Sequence, residues 1–266
     1  MKQFVHPASI VRTIWGRGDT ILLIFAGASA EFALNKSVDW LYFTGKLPAD
    51  PLGRLFSTVA YAQQIVFAEE EKALAAIDHI TAIHRGVEEK RGARIPASAY
   101  LDVLFLLVGY SIRAYELLER KLRPEEKAEV FAVFSRVGER MGLADMPVSY
   151  PDFEQRREQH LRDNLERSRF SRDLYGRYRS NLGFVRYQLL LQAQVLLLPR
   201  RVRRLLELPA LPVLYPVVQL YKLIYLLRLD KGIKTLLLPA QYRAQVFRLD
   251  LPNLGLCKHA AISSRR

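Results

Sequence analysis

Residues Tyr100–Tyr110, YLDVLFLLVGY, place large apolar side chains on every side of a helical wheel. A surface helix would show a single apolar stripe, so this helix belongs at the centre of a bundle with others packed around it. Ser98 offers an N-cap oxygen, which sets the helix at about Ala99–Lys121. The flanking segments are helical too. On the N-terminal side, Asp50-Pro51 pairs a capping acceptor with a proline at the first helical position and opens DPLGRLFSTVAYAQQIVF. A further helix runs from about Glu69 to Lys90, with carboxylates in its first turn opposing the helix dipole, and stops at the turn Arg91-Gly92. On the C-terminal side, Pro124, Glu125 and Glu126 start an amphipathic, peripheral helix that Gly142 closes.

Residues 152–180 read as one Arg/Glu-rich helix, and 184–248 as short apolar and basic helices interrupted by prolines. Strand-like alternation is nearly absent, so the fold class is all-α. No solenoid-period repeat, low-complexity tract or Gly/Ser linker divides the chain. Residues 1–266 are therefore expected to form one multi-helix domain with a central buried helix and a basic, apolar C-terminal helical appendage at 184–248.

Of the 266 residues, 50% are hydrophobic and 25% charged, which suffices for a full core and excludes global disorder. The single cysteine, Cys257, excludes an internal disulfide framework and a thiolate zinc site, so a reducing, cytoplasmic setting fits. The net charge of +13 sits in one part of the chain: residues 1–150 carry 18 Lys+Arg and 18 Asp+Glu, against 22 and 9 in 151–266. Such asymmetry implies a partner surface of negative sign, either an anionic membrane or nucleic acid. Arg186 and the prolines at Pro209, Pro212 and Pro216 interrupt the longest apolar runs, which argues against a spanning helix. The stretch Ile21–Ala30, with Arg12 and Arg17 before it, resembles a signal-peptide core but is short and charge-interrupted, and cleavage is not expected.

The chain contains no phosphate loop, dinucleotide glycine fingerprint, nucleophile elbow or His-Glu-x-x-His zinc motif. Of its five histidines, His6 and His259 lie near the ends, His160 in the charged helix, and His79 and His84 in the helix at 69–90. The last two are about 140° apart around that helix and do not form an easy shared metal site. His84 shares its face with Ile77, Ile80 and Val87, whereas His79 lies over Ala75, Ala76 and Ala82. A neutral imidazole in an apolar wall suits a haem iron or another borderline metal, although on spacing alone a hydrogen-bonded core histidine is the commoner case. Arg54 and Thr58 stack four residues apart beside Ser57; they read either as a grip for a propionate or bound oxygen, or as an exposed ion pair and a packed small residue. Asp39, in the apolar KSVDWLYF, needs a cationic or hydrogen-bonding partner, and Arg54 is a candidate.

Taken in order, Gly18-Asp19, Asp50-Pro51, Arg54-Leu55, Thr58, and His84 with Val87, followed by SIRAYELL and RPEEKAEVF, resemble the family of haem-dependent oxygenases that includes the latex-clearing rubber oxygenases and the MpaB-type enzymes. The resemblance covers roughly residues 10–170, with a weaker echo in VLLLPRRVRRLLELPALP and KTLLLPAQYR. It implies a buried haem b with His84 as proximal ligand to the iron, and Arg54 and Thr58 in the polar wall facing the iron or the propionates. It also implies Asp39 in the place of the relatives' acidic distal residue. Rubber-cleaving members carry a lysine just before the threonine, where this chain has Ser57, so the distal side is expected to lack a strong protein ligand. Relatives also often carry a tryptophan and a histidine ahead of SIRAYELL, and YLDVLFLLVGY has neither.

The reading that follows is a haem b-dependent oxygenase using dioxygen on an apolar, unsaturated isoprenoid or lipid, in a tunnel lined by helices at 20–34 and 99–115. The alternative is a non-catalytic, membrane-associated helical protein. Arg201, Arg203, Arg204, Lys222, Arg228, Lys231 and Lys234 among Leu, Tyr and Val suit an anionic membrane surface, and a peripheral position on the membrane is compatible with both readings. Nucleic acid ranks third, because no recognition module accompanies the charge.

Overall fold

The computed structural model describes residues 2–43, 45, 50–209 and 216, with the side chains of Leu41, Pro51, Leu52 and 54–57 outside that description. In chain order the helices are α1 (Ile10–Trp15), α2 (Gly18–Leu34), a 3₁₀ turn (Lys36–Val38), α3 (Asp39–Phe43), α4 (Pro51–Phe67), α5 (Glu70–Arg91), α6 (Ala97–Leu118), α7 (Pro124–Arg140), α8 (Tyr150–Asp163), α9 (Arg169–Leu197) and α10 (Arg200–Leu205). Among the described residues there is no strand, only the isolated bridges Gln3–Glu69 and Asn35–Leu165.

α6 is the central helix, as its apolar run requires: Leu104, Phe105, Leu106, Val108 and Tyr110 are buried and part of one continuous core. It begins earlier than expected. Pro96, in extended geometry, takes the N-cap place, and Ser98 lies inside the first turn, because the backbone before Ala97 is already held out of helical geometry. α2 packs closely along α6. A Cβ added at Gly27 would sit 2.2 Å from Tyr110 Cδ1, so glycine is what lets the two helices approach. At Gly27 the seam between α2 and α6 is filled by the Tyr110 ring. Trp15, fully buried, joins α1 to α6 by donating from Nε1 to Ser111 Oγ at 3.1 Å.

The capping signals of the outer helices hold. Asp50 Oδ1 accepts from Gly53 N at 2.8 Å at the start of α4, and α5 closes at Gly92. α7 lays Val130, Phe131, Val133 and Phe134 on the core, as its amphipathic pattern predicts. The charged segment is not one helix. α8 ends at Asp163, and Ser168 starts α9 with its own capping box, because Asn164 and Leu165 are taken up in contacts with Asn35, Lys36 and Asp102.

α9 is a hairpin. Gly183, at φ 70° and ψ 172°, separates arms 169–182 and 184–197 in a region that side-chain-bearing residues avoid. Tyr175 donates from its hydroxyl to Gln194 Oε1 at 2.9 Å; a continuous helix would hold these residues about 28 Å apart along its axis. Both arms rest on α2, through Tyr178 to the Ser29 carbonyl and Gln194 to Ser29 Oγ. Of the expected C-terminal appendage, the second arm and α10 are seen, and the remainder, including Lys222, Arg228, Lys231 and Lys234, lies outside the described residues. Among the described residues no helix is long and apolar enough to cross a membrane.

Candidate functional site

α5 carries the histidine that the sequence singles out. Ile77 on its face is fully buried, Ile80 packs against the core, and His84 and Val87 are half-buried toward the helix end. The face therefore emerges from the core as it approaches His84, and the imidazole lies at the core margin. His79 is exposed, with its ring 6.2 Å from that of Tyr61 on α4. The two histidines have the different surroundings that helical spacing implies.

The His84 ring meets Tyr100 of α6 at 5.2 Å between centroids and 79° between planes. Tyr100 is itself fixed: its hydroxyl donates to Glu88 Oε1 at 3.3 Å, and the same oxygen accepts from Ile95 N at 2.9 Å. Burial and the neighbouring Glu88 carboxylate push the Tyr100 phenol up to about 12, so it stays a neutral donor. Sequence reasoning missed Tyr100 and Glu88. Their only advance signal is that Glu88 follows His84 by one helical turn and Tyr100 opens the buried run.

Asp39 does acquire a cation, supplied by Arg91 at the end of α5. Arg91 Nη2 donates to Asp39 Oδ2 at 2.7 Å, and its guanidinium lies over the Trp40 ring at 3.8 Å. The pair ties α3 to the helix that carries His84. Thr58 is half-buried on α4, which packs against α5. The side chains of Arg54 and Ser57 lie outside the described residues.

Among the described residues no three His, Cys, Asp or Glu side chains converge on a point where a bare ion could bind. An imidazole at the margin of an apolar face is the donor set wanted by iron that already carries its own macrocyclic ring nitrogens and lacks an axial one. In donor chemistry, His84 and its apolar neighbours fit a haem.

Two buried polar groupings join α2, α6 and α8. Asp102 of α6 accepts from Asn35 Nδ2 at 2.6 Å and from Asn164 Nδ2 at 3.1 Å, and it pairs with His160 Nδ1. Glu31 of α2 pairs with Arg157 of α8 and accepts from the Tyr110 hydroxyl at 2.8 Å. Gly18-Asp19 has a structural role: Asp19, nearly buried, takes Thr20 N at 2.7 Å at the start of α2 and Arg17 Nη2 at 2.8 Å, while Arg17 also reaches Glu119.

Against this geometry, the sequence model of a family described as "ER-bound oxygenase mpaB/B'/Rubber oxygenase, catalytic domain" matches residues 15–228, most of the chain. No curated protein and no solved structure matches it significantly.

Proposed function

The chain belongs to the mpaB/rubber oxygenase catalytic-domain family, and from that premise we propose that it is a haem b-dependent oxygenase acting with dioxygen on an apolar, unsaturated isoprenoid or lipid. The observation that carries this reading is the placement of His84 within the matched region, half-buried at the end of an apolar helix face and braced by Tyr100. Haem, when bound, supplies the redox-active iron on which oxidation of an alkene by dioxygen depends.

The chain's own residues do the rest. His84 would hold the haem iron through its imidazole, with Tyr100 packed against that ring and Glu88 holding Tyr100. Ile80 and Val87 keep water from the ligand's flank. Arg54 and Thr58 on α4 would provide the cation and hydroxyl that anchor a propionate or polarise the reacting oxygen, and Asp39, paired with Arg91, would be the acidic residue of the site. With Ser57 in place of lysine, the position before Thr58 offers no amine that could hold the group.

A non-catalytic, membrane-associated role is the second reading, and the ring contact between His84 and Tyr100 would serve a packing histidine equally well. Colour separates the two. Purified protein reconstituted with haem should show the intense near-ultraviolet haem band and oxidise a polyisoprenoid in the presence of dioxygen. Protein that stays colourless after reconstitution would leave the second reading in possession.

A further inference from the structure

We propose that the tip of the α9 hairpin is a membrane-docking element that inserts Phe184 and Val185 into the surface of an anionic lipid bilayer. Phe184 is 66% and Val185 69% exposed, and among the described residues they are the only consecutive pair of exposed large hydrophobics. The chain does not leave them in water by accident of a loose loop. Gly183 makes a sharp reversal between two helical arms, and Ser180 Oγ and Asn181 Nδ2 both donate to the Arg177 carbonyl, at 3.0 and 2.9 Å, closing the first arm just before it. Each arm, about 20 Å long, is clamped to α2 at the other end from the tip or along its length, so the apolar pair is held out on a rigid support.

Charge identifies the occupant. Arg177, Arg179 and Arg186 stand within a few residues of the tip; Arg177 is paired with Asp173 at 2.7 Å, and no carboxylate lies between residues 174 and 206, so Arg179 and Arg186 leave the tip with a net positive charge. Two exposed large apolar side chains with Arg179 and Arg186 close by in sequence match the two layers of an anionic bilayer surface, acyl chains within and phosphates above. A protein partner would have to present an acidic rim around an apolar socket, and the same arginines on a second copy of this chain would repel this one. The proposal does not rest on the oxygenase reading, because it needs no haem and is tested on the protein as purified. It differs from an interfacial role for the segment at 200–235, since it places the depth of insertion at Phe184.

The test uses the full chain with vesicles of equal parts phosphatidylcholine and phosphatidylglycerol, and with phosphatidylcholine alone. The fluorescence added by Phe184→Trp, taken as a difference from the parent protein, should shift to the blue with anionic vesicles, be quenched by brominated acyl chains, and revert in high salt. Combined Phe184→Ser and Val185→Ser should weaken cosedimentation with those vesicles by about tenfold, while Val148→Ser, which removes an exposed valine elsewhere, should leave it unchanged. These sites are exposed, so the unfolding midpoint serves as the check that the fold is intact. Three results would overturn the proposal: no association with anionic vesicles, association in which the added tryptophan neither shifts nor is quenched, or self-association of the parent chain that the Phe184→Ser, Val185→Ser variant abolishes.

Discussion

The ring of Tyr100 stands nearly perpendicular to that of His84, with centroids 5.2 Å apart, so a side chain of the central helix packs edge-on against an imidazole of α5. Tyr100→Phe keeps the ring and loses the hydroxyl that reaches Glu88; Tyr100→Ala loses both. An aromatic contact of this kind is worth about 0.5–1.5 kcal/mol. We expect Tyr100→Ala to weaken haem retention by up to about tenfold and Tyr100→Phe to weaken it much less, as read by transfer of haem to apomyoglobin. Equal losses in the two variants would mean that the hydroxyl, and not the ring, is what matters.

The buried knot at Asp102 should be the most sensitive polar point in the scaffold. Its carboxylate gathers Asn35 from the end of α2 and both His160 and Asn164 from the last turn and cap of α8. Asp102→Asn keeps the size but turns an acceptor into a donor facing other donors, and we expect a loss of about 2–4 kcal/mol in urea unfolding with little change in slope. Arg140→Ala, which breaks the exposed pair with Asp78, should cost no more than about 1 kcal/mol.

Acid should weaken the protein partly through Glu126. Hydrogen bonds from Arg120 hold its carboxyl well below the ordinary value, at about 2. A group depressed in the folded state stabilises above its unfolded value and loses that contribution as pH falls through the folded one. Parent stability should therefore drop between about pH 4.5 and 2, and Glu126→Gln should flatten that drop while lowering stability at neutral pH by about 1 kcal/mol, a modest figure because Arg120 is half exposed. A variant with the same acid profile as the parent would remove Glu126 from the account.

Much of this architecture was legible because its signals are local. The apolar run at Tyr100–Tyr110 needs only helical periodicity to be placed at the centre, and Asp50-Pro51 needs only the three residues over which its cap acts. At α9 the change of segment between 180 and 184 was legible but the reversal was not, because nothing local tells a break at Gly183 from a fold-back, and the fold-back shows only in the contact between Tyr175 and Gln194. Around the site, the face of His84 followed from spacing, whereas Arg91 as partner of Asp39 did not. A basic residue in the last turn of a helix already has a local reason to be there, in the helix dipole, and nothing in the sequence says that the chain brings α3 back across it. Asp102, a carboxylate in an apolar run that sequence reasoning passed over, has partners as far off as Asn35 and Asn164.

Ser57 makes a prediction about ligand access. Haem-loaded ferric protein should bind added imidazole or cyanide readily, and Ser57→Lys should produce a six-coordinate spectrum without added ligand. Native ferric protein already coordinated by two nitrogens would contradict an accessible far side.

The assignment of His84 is tested most directly by comparing haem spectra of His84→Ala and His79→Ala after identical reconstitution. His84 lies on the face of Ile77 and Ile80, and its imidazole nitrogen has no substitute in alanine; His79 is exposed on another side of the same helix. The account predicts that His84→Ala loses the near-ultraviolet haem band or most of the bound haem while His79→Ala keeps both. An unchanged haem spectrum in His84→Ala would contradict it.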